Sequence, residues 1–341
     1  MLKSFIVRVV EGNNLSEEEA GRAMTIVMEG GALPTQIASF LTALRMKGET
    51  VQEITGFARA MRAKAVRIVA NGRECVVDTC GTGGDGKGTF NISTAVAIVA
   101  AGGGLTVAKH GNRSVSSRCG SADVLEAMGM NIQLSPARVQ ICLQEVGLAF
   151  LFAPLFHPAM KHALAPRKEI GIRTAFNLLG PLTNPAGATV HLLGVYREDL
   201  TGPVAEVLKN LGSNAAFVVH GEDHCDEISI TGKTTICQLK EDDIKSYQIE
   251  PEEVGLKKAS LDAIRGGTPE KNAEILLKIL QGASGPSRDV VLLNSAAAFV
   301  AAEKARDLKE GVSIAGESID SGRAMKKLQE LIEFSNQETE K

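Results

Sequence analysis

Apolar positions recur at helical intervals through residues 1–70. Ile37, Phe40, Leu41 and Leu44 follow the i, i+3, i+4, i+7 rhythm that places side chains on one helix face. Ser16-x-x-Glu19 and Thr50-x-x-Glu53 are capping boxes. In each, the hydroxyl accepts from an early amide while the glutamate reaches back to the cap residue's own N–H. Gly30-Gly31 ends the helix begun by the first box. Pro34 opens another, since its fixed φ and missing N–H suit the first helical position. A small all-helical domain is therefore predicted for residues 1–70.

The rhythm changes at Glu74. Cys75-Val76-Val77-Asp78 predicts a short strand, residues 91–101 an apolar helix, and Leu105-Thr106-Val107-Ala108 a second strand. Strand, helix and strand in so short a span form a βαβ unit, and hence a parallel sheet. Ser135-Pro136 marks another helix start. Residues 191–195 and 215–219 predict later strands, with a helix near 202–211 between them. Residues 289–302 predict a buried helix, and 318–334 an amphipathic one. The fold class is α/β.

At 341 residues the chain exceeds one ordinary domain of roughly 100–200 residues. Its net charge of −3 provides no field that would draw it to nucleic acid or to an anionic membrane. The apolar run at 95–101 ends in three glycines, and that at 290–302 is interrupted by Asn294-Ser295, so neither spans a bilayer. Met1-Leu2-Lys3-Ser4-Phe5 lacks a signal-peptide layout, and a cytoplasmic location is expected. The six cysteines form no C-x-x-C pair and read as reduced thiols. Without Trp, and with only two Tyr, the chain has few stacking platforms for single-stranded nucleic acid.

The chemistry concentrates at strand ends. Gly81-Thr82-Gly83-Gly84-Asp85-Gly86-Lys87-Gly88-Thr89 holds five glycines in its first eight residues and precedes a helix. Bare N–H groups and a helix N-terminus suit a phosphate. The dinucleotide fingerprint Gly81-x-Gly83-x-x-Gly86 lacks its later acid, because residues 95–108 contain none. The nucleoside-triphosphate pattern Gly81-x4-Gly86-Lys87 fails because Gly88 replaces the hydroxyl residue that would hold Mg²⁺. A second cluster, residues 109–118, follows the next strand with three fixed cations, Lys109, Arg113 and Arg118, beside His110, Asn112 and three serines. It suits a diphosphate plus a phosphate. A third, His220-Gly221-Glu222-Asp223-His224-Cys225-Asp226-Glu227, offers adjacent hard carboxylates for Mg²⁺. Zinc at His224 and Cys225 has no matching ligand pair elsewhere.

Together these motifs resemble the anthranilate phosphoribosyltransferase family of tryptophan biosynthesis. G-T-G-G-D at 81–85, N-I-S-T at 91–94, K-H-G-N-R at 109–113 and D-E at 226–227 stand in the family's order and spacing. So do His157-Pro158-Ala159-Met160-Lys161, Arg167 and the run from Phe176 to Pro185. The resemblance covers nearly the whole chain. It implies a small helical domain, residues 1–70 rejoined by helices from about 133–168, and a large α/β domain of residues 73–132 and 169–341. The large domain would have a mostly parallel central sheet of the nucleoside phosphorylase/phosphoribosyltransferase type. The resemblance also implies a homodimer formed through the helical domain.

Carried over residue by residue, 5-phosphoribosyl 1-diphosphate contacts fall on Gly81, Gly84, Asp85, Thr89, Asn91, Ser93, Thr94, Lys109, Ser117 and Ser121. Anthranilate contacts fall on Gly81, Asn112 and Arg167; a guanidinium matches a carboxylate bidentately. His110 and His157 stand in matching motifs as further substrate-binding candidates. Mg²⁺ ligands fall on Ser93, Asp226 and Glu227, for about two ions. Lys109, Asp226 and Glu227 are the expected catalytic residues. One departure stands out: the family often has Gly-Leu where this chain has His224-Cys225.

The implied reaction is substitution at the ribose anomeric carbon, with the anthranilate amine replacing diphosphate. A pyrimidine nucleoside phosphorylase would share the general fold. That family's Lys-x-Ser-Gly-Arg pattern is absent from Lys109-His110-Gly111-Asn112-Arg113. A non-catalytic nucleic-acid-binding relative would be basic and would have lost site motifs, whereas this chain has a pI near 6.1 and an intact set.

Overall fold

The computed structural model describes residues 1–70, 75–114 and 118–337. Four helices come first: α1 Leu2–Val10, α2 Glu17–Met28, α3 Pro34–Lys47 and α4 Val51–Lys64. Both capping boxes close. Ser16 Oγ accepts from Glu19 N–H at 3.2 Å, and Glu19 accepts from Ser16 N–H at 3.0 Å. The second box also makes tertiary contacts. Glu53 is fully buried, and its carboxylate accepts from Thr50 N–H at 2.8 Å, Leu15 N–H at 2.9 Å and Lys47 Nζ at 2.9 Å. One carboxylate thus ties the starts of α2 and α4 to the end of α3, and these bonds offset its loss of water.

The α/β part follows in the order β1 Val77–Asp78, α5 Ile92–Gly102, β2 Val107–Gly111, α6 Ser121–Ala127, α7 Pro136–Glu145 and β3 Leu148–Phe152. Next come α8 Ala153–Phe156, α9 Lys161–Ile170, α10 Phe176–Leu179, β4 Val190–Gly194, α11 Thr201–Asn210 and β5 Ala215–Gly221. The chain closes with β6 Thr234–Lys240, β7 Asp243–Ile249, α12 Pro269–Leu280, α13 Pro286–Ala301, α14 Leu308–Asp320 and α15 Arg323–Asn336. The seven strands form one sheet in the order β3-β2-β1-β4-β5-β6-β7. The first five are parallel, and β6 and β7 add an antiparallel edge.

Strand alternation divides the apolar interior. Leu192, Phe217 and Val219 face one core, which α5 and α13 cover. Leu193, Ala216 and Val218 face the other, where α11 packs and the apolar side chains continue into α1–α4. Arg62 of α4 fastens this junction by donating to the carbonyls of Leu182 (2.8 Å) and Leu211 (3.1 Å). No helix among the described residues is long and apolar enough to cross a membrane.

Four sequence expectations need correction. Within residues 133–168, α9 packs on α2 and α3, whereas α7 packs on β3, and β3 is a sheet strand beside β2. The second strand begins at Val107 and runs to Gly111, which makes Lys109 and His110 strand residues and not loop residues. The helix expected at 318–334 is two helices, broken where Gly322 takes φ +77°. The β6–β7 hairpin is absent from the sequence expectations, because buried positions 234, 236, 237 and 239 in β6 do not alternate strictly.

Candidate active site

The strand order makes the site. Adjacent parallel strands end on the same side, so the segments after β2, β1, β4 and β5 lie in a row at the carboxyl edge, where α/β folds bind ligands. The glycine loop after β1 runs from Gly81 to Thr89. Gly83, Gly84, Gly86 and Gly88 all take φ between +65° and +75°, a conformation glycine reaches without Cβ strain. Thr82 N–H donates to the Gly194 carbonyl at 2.8 Å, and Gly83 N–H to Asp226 Oδ2 at 2.6 Å. Two further glycines permit this approach. A Cβ on Gly81 would lie 2.9 Å from Asp226 Oδ2, and one on Gly194 would collide with the Asp226 carbonyl.

Lys109 projects from β2 into this edge and is almost fully buried. Its Nζ lies 3.2 Å from Ser93 Oγ and 3.3 Å from the Thr79 carbonyl. Ser93 sits in the first turn of α5, behind the cap residue Asn91, whose side chain accepts from Asn272 Nδ2 at 2.8 Å. Thr94 is buried, and its hydroxyl has no partner among the described residues. Asp226 and Glu227 keep some solvent exposure, but their carboxyl groups sit deep among protein atoms. Burial, then the charge of Asp85, pushes Asp226 up to about 7. Burial and the neighbouring Asp226 raise Glu227 well above the usual carboxylate range, and Lys109 offsets only part of this. The charge of Asp85 bears on both Asp226 and Glu227, and Lys109 acts on Glu227 with the opposite sign. Mutual repulsion of hard oxygen donors is what a divalent ion would relieve, so the residues present fit Mg²⁺.

The acidic turn has its own scaffold. Asp223 accepts from Ser229 Oγ (2.7 Å), Thr231 Oγ1 (2.8 Å) and Cys225 N–H (3.1 Å). Asn294, fully buried in α13, accepts from Ile228 N–H at 2.9 Å and donates to the Ile228 carbonyl at 2.8 Å. The polar interruption noted in that apolar helix is therefore a clamp on the turn carrying Asp226 and Glu227. Sequence reasoning gives Asn294 and Asp223 no role in the site, though an asparagine inside a buried pattern is a readable signal. Asn184 works similarly at β1, donating to Asp78 Oδ2 at 2.7 Å and to the Ala108 carbonyl at 2.8 Å.

On the acceptor side, His110 and His157 are buried with ring centroids 5.1 Å apart. His110 Nδ1 faces the Gly180 carbonyl at 3.1 Å, while among the described residues no well-formed hydrogen bond reaches its Nε2 or the ring nitrogens of His157. Burial drives the two imidazoles down to about 3 and about 4, so both are neutral at neutral pH. Arg167 lies on α9 with its guanidinium 4.9 Å from the centroid of the Phe176 ring. Burial lowers its pKa, and no carboxylate pairs with it among the described residues. Asn112 and Ser121 meet at the end of β2, where Ser121 Oγ donates to the Asn112 carbonyl at 3.3 Å. Thr89 bridges to Arg265 at the far end of the glycine loop. Ser117 lies outside the described residues. Of the three cations expected in the second cluster, Arg113 is turned away, paired with Asp123 at 2.9 Å and with Glu126.

The chain matches the model of the glycosyl transferase family α/β domain over residues 73–325, and that of the same family's helical bundle domain over residues 3–65. It is 58% identical over 332 residues to the anthranilate phosphoribosyltransferase of Moorella thermoacetica, covering 97% of this chain and 98% of that one. The Pelotomaculum thermopropionicum enzyme of the same name is 56% identical over 335 residues, covering 98% and 97%. Among solved structures, anthranilate phosphoribosyltransferase from Thermus thermophilus superposes with a TM-score of 0.93 at 46% identity, covering 98% of this chain and 99% of that one. The Saccharomyces cerevisiae enzyme in complex with PRPP and Mg superposes at 0.89 with 31% identity, covering 98% and 97%. With its helical layer, its parallel sheet and its full length matched in these relatives, the chain belongs to the anthranilate phosphoribosyltransferase family.

Proposed function

We propose that this chain transfers the phosphoribosyl group of 5-phosphoribosyl 1-diphosphate to the amine of anthranilate, releasing diphosphate. The carrying observation is the meeting of the glycine loop with Asp226, beside Lys109 and two further carboxylates. Loop amides and the N-terminus of α5 would receive the diphosphate. Gly81, Gly84, Asp85, Thr89, Asn91, Ser93, Thr94, Ser117 and Ser121 are the proposed contacts of this substrate. Ser93, Asp226 and Glu227 would hold Mg²⁺, in about two ions, which neutralises charge on the diphosphate.

In the transfer, the bond from the anomeric carbon to the diphosphate oxygen breaks and its electron pair leaves with the diphosphate. The amine lone pair forms the new C–N bond, and the amine then loses a proton. Lys109 stabilises the departing anion from a dry position, where a charge counts for more than in water. Arg167, paired with no carboxylate among the described residues and backed by Phe176, would grip the anthranilate carboxylate. Neutral His110 and His157, with Asn112, would line the aromatic acceptor without adding charge.

The helical part, residues 1–70 with α9, and the remaining α/β part would act as two domains that close over the site and exclude water. Val7 and Val10 of α1 and Leu164 of α9 are exposed apolar side chains on this helical layer, and they support a homodimer formed through it. A cytoplasmic location is consistent with six free thiols. The test is loss of anthranilate fluorescence on addition of 5-phosphoribosyl 1-diphosphate, with and without Mg²⁺. Consumption only when both are present is expected, and no consumption would overturn the reading.

A further inference from the structure

Arg173 lies in the turn between α9 and α10, outside every motif singled out in the sequence. Its guanidinium covers the Tyr196 ring, with Cζ 4.5 Å from the centroid. The same group donates to the carbonyl oxygen of Gly84. Three places are joined by these two contacts. One is the segment leaving α9, which packs on α2 and α3; another is the chain just beyond β4; the last is the middle of the glycine loop.

The loop needs such a tie. Four of its glycines take positive φ, and glycine loses more conformational freedom on ordering than any other residue. Its start is held by Thr82 and Gly83, and its end by the Gly88 carbonyl, which accepts from Gly266 N–H at 2.8 Å. Between Gly83 and Gly88, Arg173 is the backbone's partner from outside the loop among the described residues. A peptide unit is planar, with its C=O and N–H directed oppositely. Holding the Gly84 carbonyl therefore also fixes the direction of the Asp85 N–H. Tyr196 in turn limits where the guanidinium can go: a planar guanidinium stacks flat on an aromatic face, whereas an ammonium approaches it only as a point charge. Of the other guanidiniums near Tyr196, Arg197 is occupied by Asp199 at 2.8 Å.

We propose that Arg173, seated on Tyr196, is a positioning residue that sets the Gly84–Asp85 peptide for diphosphate binding and links the α9–α10 turn to the glycine loop. The inference rests on the transfer activity proposed above. The experiment is steady-state kinetics on the full chain, beginning with the unaltered protein. If that protein does not consume anthranilate, the transfer reading falls and this inference with it.

With the unaltered protein active, Arg173→Ala is expected to raise the KM for 5-phosphoribosyl 1-diphosphate about tenfold, the loss of one charge-assisted hydrogen bond. The KM for anthranilate should stay the same, and kcat should change much less than the diphosphate KM. Added guanidine should restore part of the loss. Tyr196→Phe should behave as the unaltered protein, because the ring remains, whereas Tyr196→Leu should move toward Arg173→Ala. A diphosphate KM within twofold of the original in Arg173→Ala overturns the proposal and leaves the transfer reading standing. Equal rises in both KM values with a lowered Tm also overturn it, as a general loss of fold. Should Arg173→Ala prove insoluble, Arg173→Met, which keeps a long side chain but no donor, is read in the same way.

Discussion

The backbone N–H of Gly83 donates to Oδ2 of Asp226 at 2.6 Å, across 143 residues of sequence. Beside it, Thr82 N–H reaches the Gly194 carbonyl at 2.8 Å. The glycine loop is thereby laid over the ends of β4 and β5, with Gly83 against Asp226.

Replacing Asp226 by Asn together with Glu227 by Gln preserves shape while removing two charges. Turnover should fall by about 10²–10³, the usual scale for losing electrostatic stabilisation of a transition state. Activation by Mg²⁺ should weaken with it. Rates near those of the unaltered protein, measured across a Mg²⁺ titration, would reject the metal assignment.

Arg167→Ala should raise the KM for anthranilate by about tenfold or more while leaving that for 5-phosphoribosyl 1-diphosphate nearly unchanged. Arg167→Lys should recover little, because an ammonium lacks the two-pronged fork that matches a carboxylate. An unchanged anthranilate KM in the alanine variant counts against this contact.

The buried imidazoles make a pH prediction with a definite sign. His110 and His157 titrate at about 3 and about 4 in the folded chain, against about 6.5 when unfolded. Below about 6.5 the unfolded state binds more protons, so each histidine's contribution to stability is present at neutral pH. It is lost progressively as pH falls toward 4 and then 3. His110→Gln with His157→Gln should flatten the decline of stability between pH 6.5 and 4, followed by urea denaturation. An unaltered slope would show that the two rings are not buried in the neutral form.

Asn294→Leu removes the clamp on the acidic turn and leaves the Ile228 N–H and carbonyl without their partner. A destabilisation of about 1–3 kcal/mol is expected for groups so stranded. Turnover should fall further than Tm alone explains, because the turn that carries Asp226 and Glu227 loses its anchor. A variant with lowered stability but full kcat would separate Asn294 from the site.

Much is legible in local pattern. Ser16-x-x-Glu19 and Thr50-x-x-Glu53 announce two helix starts, because a capping box is completed by residues three apart. The glycines of 81–88 announce a loop able to approach an anion, because positive φ is a property of single residues. The order of motifs along the chain is enough to suggest the family.

Relations between distant elements are not legible. Lys109 reads as a loop residue in the sequence and is a strand residue in the fold, since where β2 ends depends on its pairing with β3. Arg113 reads as a ligand for anions, yet Asp123 and Glu126 hold it. Leu148–Phe152 join the sheet, with α7 packed on them, because β3 completes the edge beside β2. Arg173 carries no motif at all; its place against Tyr196 and Gly84 exists only once α9, β4 and the glycine loop are packed.

Sequence by itself determined the repertoire: which stretches could be helix or strand, which residues could bind phosphate or metal, and which family they resemble in order and spacing alone. Tertiary structure decided the partnerships, including which carboxylates feel one another's charge, which arginines are held by carboxylates and which amide meets Asp226. The physical reason is range. Propensity and capping act over a few residues, whereas hydrogen bonding between strands, burial and charge repulsion act between groups that only folding brings within a few ångströms of one another.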